Sequence, residues 1–240
     1  GIRIKLSASS HEVDQEIELL FDAIPKRQVT RSEYDGQPLQ QDELDQLAEA
    51  ATGNGVRVEL VTDPDKIKTI TDFVVRANSS QLNNPDFLNE LRTWIRFNER
   101  EATAKGDGLS GPTNGNNSPI PRFLANLIFK FVIKEGPENL KITKQIHSSA
   151  GIVIFVSEKN DSAHWVEAGR CYERFALKAT SLGIRNAFFN QPVEETGIRP
   201  EFAKTIGLGE NERPDLIARF GRAAEMPRSY RRPVQDVIQN

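Results

Sequence analysis

Gly151-Ile152-Val153-Ile154-Phe155-Val156 decides the fold. Six consecutive apolar or small residues, most of them β-branched or aromatic, suit a strand covered on both faces. A short polar turn follows, in which Asn160-Asp161-Ser162 offers an N-cap. A helix is then expected from about Ala163 to Leu182, with Trp165, Gly169, Tyr172, Phe175, Ala176, Ala179 and Leu182 on one face. Gly183 ends it. A second short strand is expected over residues 186–190 and a final strand over residues 215–220.

Outward from this centre, helices and strands interleave. Residues 12–24 carry a helical stripe (Val13, Ile17, Leu20, Phe21, Ile24) that Pro25 stops. Residues 41–51 form a helix, 56–61 a strand, 65–78 a helix entered through Asp63-Pro64, and 85–97 a further helix. Residues 2–6 read as an edge strand, 123–133 as an apolar helix and 200–206 as a short helix. Residues 99–121, rich in Gly, Pro and Asn, read as a loop that is either a lid or disordered. The class is α+β with helices dominant.

Composition excludes several functions. The chain has 240 residues, 27% charged and 38% apolar, with a net charge of −3. That is an ordinary globular composition and a poor match to a nucleic-acid binder, which needs a strongly basic face. One cysteine, Cys171, excludes an intramolecular disulfide, and His11, His147 and His164 share no metal-ligand spacing. No apolar run is long enough to span a membrane. His147 beside Ser148-Ser149 has no nucleophile-elbow motif around it. The first residue is Gly1 rather than Met, so an N-terminal portion is expected to be missing; a cytoplasmic location is the default expectation.

Against this acidic background, arginines crowd two distant segments: Lys26-Arg27-Gln28-Val29-Thr30-Arg31 and Arg228-Ser229-Tyr230-Arg231-Arg232-Pro233. Concentrated positive charge on an acidic chain fits a small anion, and the guanidinium fork fits phosphate. Both segments are therefore expected to meet around one phosphate. Charge-assisted bonds of this kind contribute on the order of 1.5–3 kcal/mol each.

The order of three blocks resembles the nitroreductase-like FMN oxidoreductase superfamily. Residues 27–39 resemble its opening R-R-S-x-R-x-[FY]-x-x-x-P, with Arg27 and Arg31 at the basic positions. Val29 stands where the family has Ser or Thr; either Thr30 supplies the hydroxyl or that contact is absent. The 151–156 strand, its long helix and the turn Phe188-Phe189-Asn190-Gln191-Pro192 resemble the family's segment facing the flavin ring. Residues 216–221 followed by Met226-Pro227-Arg228-Ser229-Tyr230-Arg231-Arg232-Pro233 resemble its closing strand and phosphate-binding tail.

The resemblance implies a central mixed or antiparallel sheet flanked by helices, with the long helix at a subunit interface. It implies FMN as cofactor, held by Arg27, Gln28, Val29, Arg31, Asn190, Gln191, Arg231 and Arg232. NAD(P)H is the implied electron donor, a small electron-poor molecule the acceptor, and a homodimer or pseudo-dimer the assembly. The chemistry belongs to the flavin, so no catalytic side chain is expected. The family's P-S-x-x-N-x-Q-P-W segment is absent, which leaves a non-catalytic flavin-binding or flavin-sequestering protein, or a fold relic without cofactor, as alternatives. The expected organisation is a remnant of a preceding half at residues 1–24 and an FMN-binding domain at 25–240 with a lid insertion at about 99–121. Glu90-Leu91-Arg92-Thr93-Trp94-Ile95-Arg96, with the Gly-rich stretch after it, further resembles a branch of larger, internally duplicated members with a lid over the flavin.

Overall fold

The structure is a computed structural model that describes residues 15–110 and 134–238. The expected strand at 2–6, the apolar helix at 123–133 and the distal part of the 99–121 stretch lie outside the described residues.

Four strands form one antiparallel sheet in the order β1-β4-β6-β5: β1 is Val56–Val61, β4 Gly151–Ser157, β5 Arg185–Phe188 and β6 Arg213–Gly221. Every residue of β4 is buried, because it is a central strand with a helical layer on each face. Alternation sorts its side chains. Val153 and Phe155 face a cluster that includes Phe175 and Ala176 of the long helix, whereas Ile152, Ile154 and Val156 face Phe73, Val74, Ile142 and Ile146.

The helices of the first layer are α2 (Gln41–Ala51) and α7 (Ser162–Ser181), with α1 (Gln15–Ala23) packed on α7. Asp161 caps α7 by accepting from the His164 amide at 3.0 Å. Gly183, at φ +69°, ends it in the left-handed region. The inward face starts later than expected: Trp165 is half exposed and Gly169 is exposed, and burial begins at Ala168 and Cys171. Trp165 instead lies under the Arg213 guanidinium, 5.5 Å from its ring centroid.

The opposite layer contains α3 (Pro64–Leu82), α6 (Glu135–His147), α8 (Gln191–Glu194) and α9 (Arg199–Thr205). Pro64 at N1 and the Asp63 cap, which accepts from Lys66 N at 2.9 Å, fix the start of α3. Its buried stripe includes Ile70, Phe73, Val74, Ala77 and Gln81, and the helix runs four residues past the expected end, to Leu82. No sequence expectation covers α6. Only Ile142, Gln145 and Ile146 of it are buried, too few for a visible stripe.

Two expectations are corrected here. α4 (Pro85–Trp94) stops three residues early, because Ile95-Arg96 (β2) pairs in parallel with Leu109-Ser110 (β3). The start of the Gly-rich stretch is not a loop: Glu99–Lys105 is a helix, α5, capped by Asn98 and closed by Gly106 at φ +59°. A Cβ at Gly108 would lie 2.3 Å from Trp94 O, so that glycine is required by close packing.

Phe175 is fully buried and meets Phe155 and Phe220 edge-on at 5.9 and 6.1 Å. Phe175→Ala should destabilise the protein by about 3–5 kcal/mol. The check is a urea melt, in which the midpoint falls while the slope is unchanged.

Candidate functional site

Segment 27–34 runs along the β5 edge of the sheet. Val29 pairs in parallel with Asn186, and the Thr30 amide donates to Asn186 O at 3.0 Å. Its distant partner is the chain after β6. Gln28 Nε2 donates to Met226 O at 2.7 Å, and the Met226 amide donates back to Gln28 Oε1 at 3.0 Å. The Arg31 amide points at Met226 Sδ, 3.0 Å away, and Arg228 donates to Pro25 O. The two arginine-bearing segments therefore meet, although nearly two hundred residues separate them.

The individual arginines are used differently. Arg27 pairs with Glu173 of α7 at 3.0 Å. Arg31 is half-buried, and that burial lowers its pKa from the ordinary arginine value, with Tyr172 acting the other way. Past Arg228 the tail crosses to α5. There the Tyr230 hydroxyl donates to Glu99 Oε1 at 2.7 Å, and Arg232 packs against Gly106. Arg231 donates to Ser229 Oγ at 2.8 Å.

Thr30 faces inward. The residue is fully buried and its Oγ1 has no hydrogen-bond partner among the described residues. It cannot present its hydroxyl on the outer side of the segment as a substitute for the missing one at Val29.

Beneath the segment lies Arg219, whose side chain is fully buried. Nη1 donates to Gln145 O (2.8 Å) and to Ser149 Oγ (3.4 Å). Nη2 donates to Thr30 O (3.2 Å) and Ser32 O (2.6 Å). Its guanidinium lies over the Tyr34 ring, 3.8 Å from the centroid. The Tyr34 hydroxyl in turn donates to Thr30 O at 3.0 Å. Arg185, on β5, pairs with Glu225 at 3.0 Å, yet its Nε is buried without a partner among the described residues. Sequence reading missed Arg219; its one signal is a charge inside the apolar run Leu216-Ile217-Ala218-Arg219-Phe220.

Of the two turn residues, Asn190 is committed to the fold, since its Oδ1 accepts from the Ile217 amide at 2.9 Å. Gln191 keeps a buried Oε1 with no partner among the described residues, an acceptor open to a donor on a ligand. Phe189, two residues earlier, lies 5.5 Å from the Arg219 guanidinium. The turn and segment 27–34 thus share one buried charge.

Tyr172 joins the site from α7, with its hydroxyl donating to Asn186 Oδ1 at 3.0 Å. Cys171 beside it is buried, and burial pushes its thiol up, which suits an inert thiol. Among the described residues no cluster of His, Cys, Asp and Glu is arranged to hold a metal ion. A cavity of about 560 Å³ opens elsewhere, between β1, the start of α3 and the end of α9. Its Asp63, Thr69 and Thr205 side chains bond to neighbouring backbone.

The comparisons agree with this architecture. No family model matches the chain. A nitroreductase with bound FMN from Desulfitobacterium hafniense superposes with a TM-score of 0.57 at 14% identity, covering 92% of this chain and 97% of that one. A nitroreductase with bound FMN from Bacteroides fragilis gives 0.53 at 15% identity, covering 90% and 94%. The chain has the nitroreductase-like fold. Two proteins from strains of Mycobacterium tuberculosis that carry the name NAD(P)H nitroreductase are 24% identical over 232 residues, 94% of this chain. The chain spans 63% of the length of these curated relatives.

Within this nitroreductase-like frame all three tyrosines resist ionisation. Burial pushes Tyr172 up to about 12 and raises Tyr34 further; the bond to Glu99 raises exposed Tyr230. Each folded pKa lies above its unfolded value of 10.0. Stability from the neutral phenols is therefore complete below that pH and is lost as pH rises through the folded values. An alkaline absorbance titration should show less phenolate in native than in urea-unfolded protein at pH 10.

Proposed function

We propose that this chain is the cofactor-binding part of an FMN-dependent oxidoreductase. It would take hydride from NAD(P)H and, in a second half-reaction of a ping-pong cycle, reduce an electron-poor acceptor such as a nitroaromatic or a quinone. The observation that carries this reading is the meeting of segment 27–31 with the chain at Met226–Arg228 on the β5 edge.

The residues present fit the cofactor's charged end. Arg27, Arg31, Arg185 and Arg219 surround Tyr34 and Tyr172; Arg27 pairs with Glu173 and Arg185 with Glu225. Guanidinium groups gathered in a partly dry place favour a phosphate dianion. Arg27 and Arg31 would bind the phosphate from one side, Arg231 and Arg232 from the other, with Gln28 and Val29 shaping the wall between them. Glu173 orients Arg27. Gln191 Oε1 would accept from the ring edge. FMN supplies the redox chemistry, while the protein binds it, orients it and excludes water.

Self-association belongs to the same proposal. Ile17 and Phe21 on α1 and Ile24 just after it are 61%, 70% and 55% exposed, an apolar stripe beside the long helix α7 that suits a second subunit or half. Among the described residues no helix is long and apolar enough to cross a membrane.

A second reading, flavin binding without turnover, is favoured by one observation: Asn190, a ring-side candidate, is already occupied by the Ile217 amide. Adding FMN to the purified protein should quench flavin fluorescence, and NAD(P)H should then bleach the visible flavin band. Quenching without bleaching selects the second reading; no quenching rejects both. Arg31→Ala and Arg231→Ala should each weaken FMN binding by about 10- to 100-fold. Unchanged affinity removes that residue from the phosphate site.

A further inference from the structure

We propose that Arg219 is a specificity-determining residue of this site: its buried charge beneath segment 27–31 selects flavin that carries a phosphate over flavin that does not. The inference rests on the FMN reading above and adds a residue that neither the family resemblance nor the arginine-rich motifs point to.

Four observations combine. Arg219 is fully buried in the middle of the sheet's closing strand. Among the described residues no carboxylate forms an ion pair with it; its partners are three backbone carbonyls, one serine hydroxyl and the Tyr34 ring. Carbonyl dipoles solvate a guanidinium but do not neutralise it, so a full positive charge persists where screening is weak. Two of those carbonyls belong to Thr30 and Ser32, which places the charge directly behind Arg31.

The cost of this arrangement argues for a purpose. A tie between strand and loop can be made by neutral groups, whereas a buried charge without a counter-charge is destabilising by itself. Burial lowers the Arg219 pKa from the ordinary arginine value, with Tyr34 and Glu33 opposing. The group nevertheless remains protonated, as arginine does in proteins. An anion bound on the outer side of the segment supplies the missing counter-charge without displacing any Arg219 hydrogen bond.

The test compares FMN with riboflavin, which shares the ring and lacks the phosphate, by fluorescence titration of the wild type, Arg219→Lys and Arg219→Gln. The wild type should prefer FMN. Arg219→Lys keeps the charge and should retain the FMN-to-riboflavin affinity ratio within about threefold, with a lower melting temperature. Arg219→Gln loses the charge and should reduce that ratio by about tenfold or more. A ratio unchanged in Arg219→Gln, or lost equally in Arg219→Lys, reduces Arg219 to a structural tie and overturns the inference while leaving the FMN reading intact. If the variants do not fold, the wild-type ratio decides in about 1 M salt, where surface charges are screened and buried ones much less. Persistence of the preference supports the role, and its disappearance rejects it. A wild type that binds neither flavin rejects the FMN reading itself.

Discussion

A guanidinium held by carbonyls rather than by a carboxylate fixes the geometry around segment 27–34. Arg219 reaches from β6 to Gln145 O in α6, to Ser149 Oγ in the following turn, and to Thr30 O and Ser32 O. The loop is then determined from every side. Tyr34 OH and Arg219 share Thr30 O, Gln145 Nε2 donates to Arg31 O, and the Tyr34 amide donates to Ser148 Oγ. With its carbonyls turned inward and the Thr30 side chain buried, the segment has one orientation to offer a ligand. Losing the fork would remove the donor to Ser32 O, at about 1–3 kcal/mol, while Thr30 O keeps the Tyr34 hydroxyl and Gln145 O keeps Ser148 Oγ and Ser149 Oγ.

How legible this was in the sequence depended on the range of the physics involved. β4 and α7 were readable because burial on two faces writes an unbroken apolar run, and an Asp161 cap with a Gly183 stop is local chemistry. α5 was hidden: its seven residues carry ordinary helix formers, but the glycines and prolines that follow dominate the composition of the window. α6 was hidden because it buries only one short stripe. In the site, the meeting of the two arginine-rich segments followed from charge and motif order. Their actual contacts, Gln28 with Met226 and Arg228 with Pro25, involve an amide and backbone groups that no charge argument selects. Asn190 misled for a related reason. An Asn on a turn looks available to a ligand until a neighbouring strand amide is found on its side-chain oxygen.

Likeness to solved nitroreductases at 14–15% identity establishes architecture, and architecture alone hosts many chemistries. In this chain the closing segment is strapped down. After β6 it is tied to Gln28, then to Pro25, then to Glu99 and Gly106 of the α5 region. Arg231 and Arg232 are thus carried on a strap anchored at both ends, and α5 takes part in setting where they lie.

The charge distribution carries the last step. Many of the arginines are neutralised where they stand: Arg57 by Glu59 and Glu212, Arg76 by Glu201, Arg213 by Asp215, Arg222 by Glu43. Such pairing interrupts the positive field where it occurs, whereas Arg219, near Tyr34, has no carboxylate ion pair among the described residues. The exposed pair Arg76–Glu201 contributes little stability. On the FMN reading proposed above, a small cluster of buried and half-buried guanidinium groups suits a ligand with one compact anionic end and an extended neutral body. It would hold a long polyanion poorly, because only one or two of its charges could be served at a time.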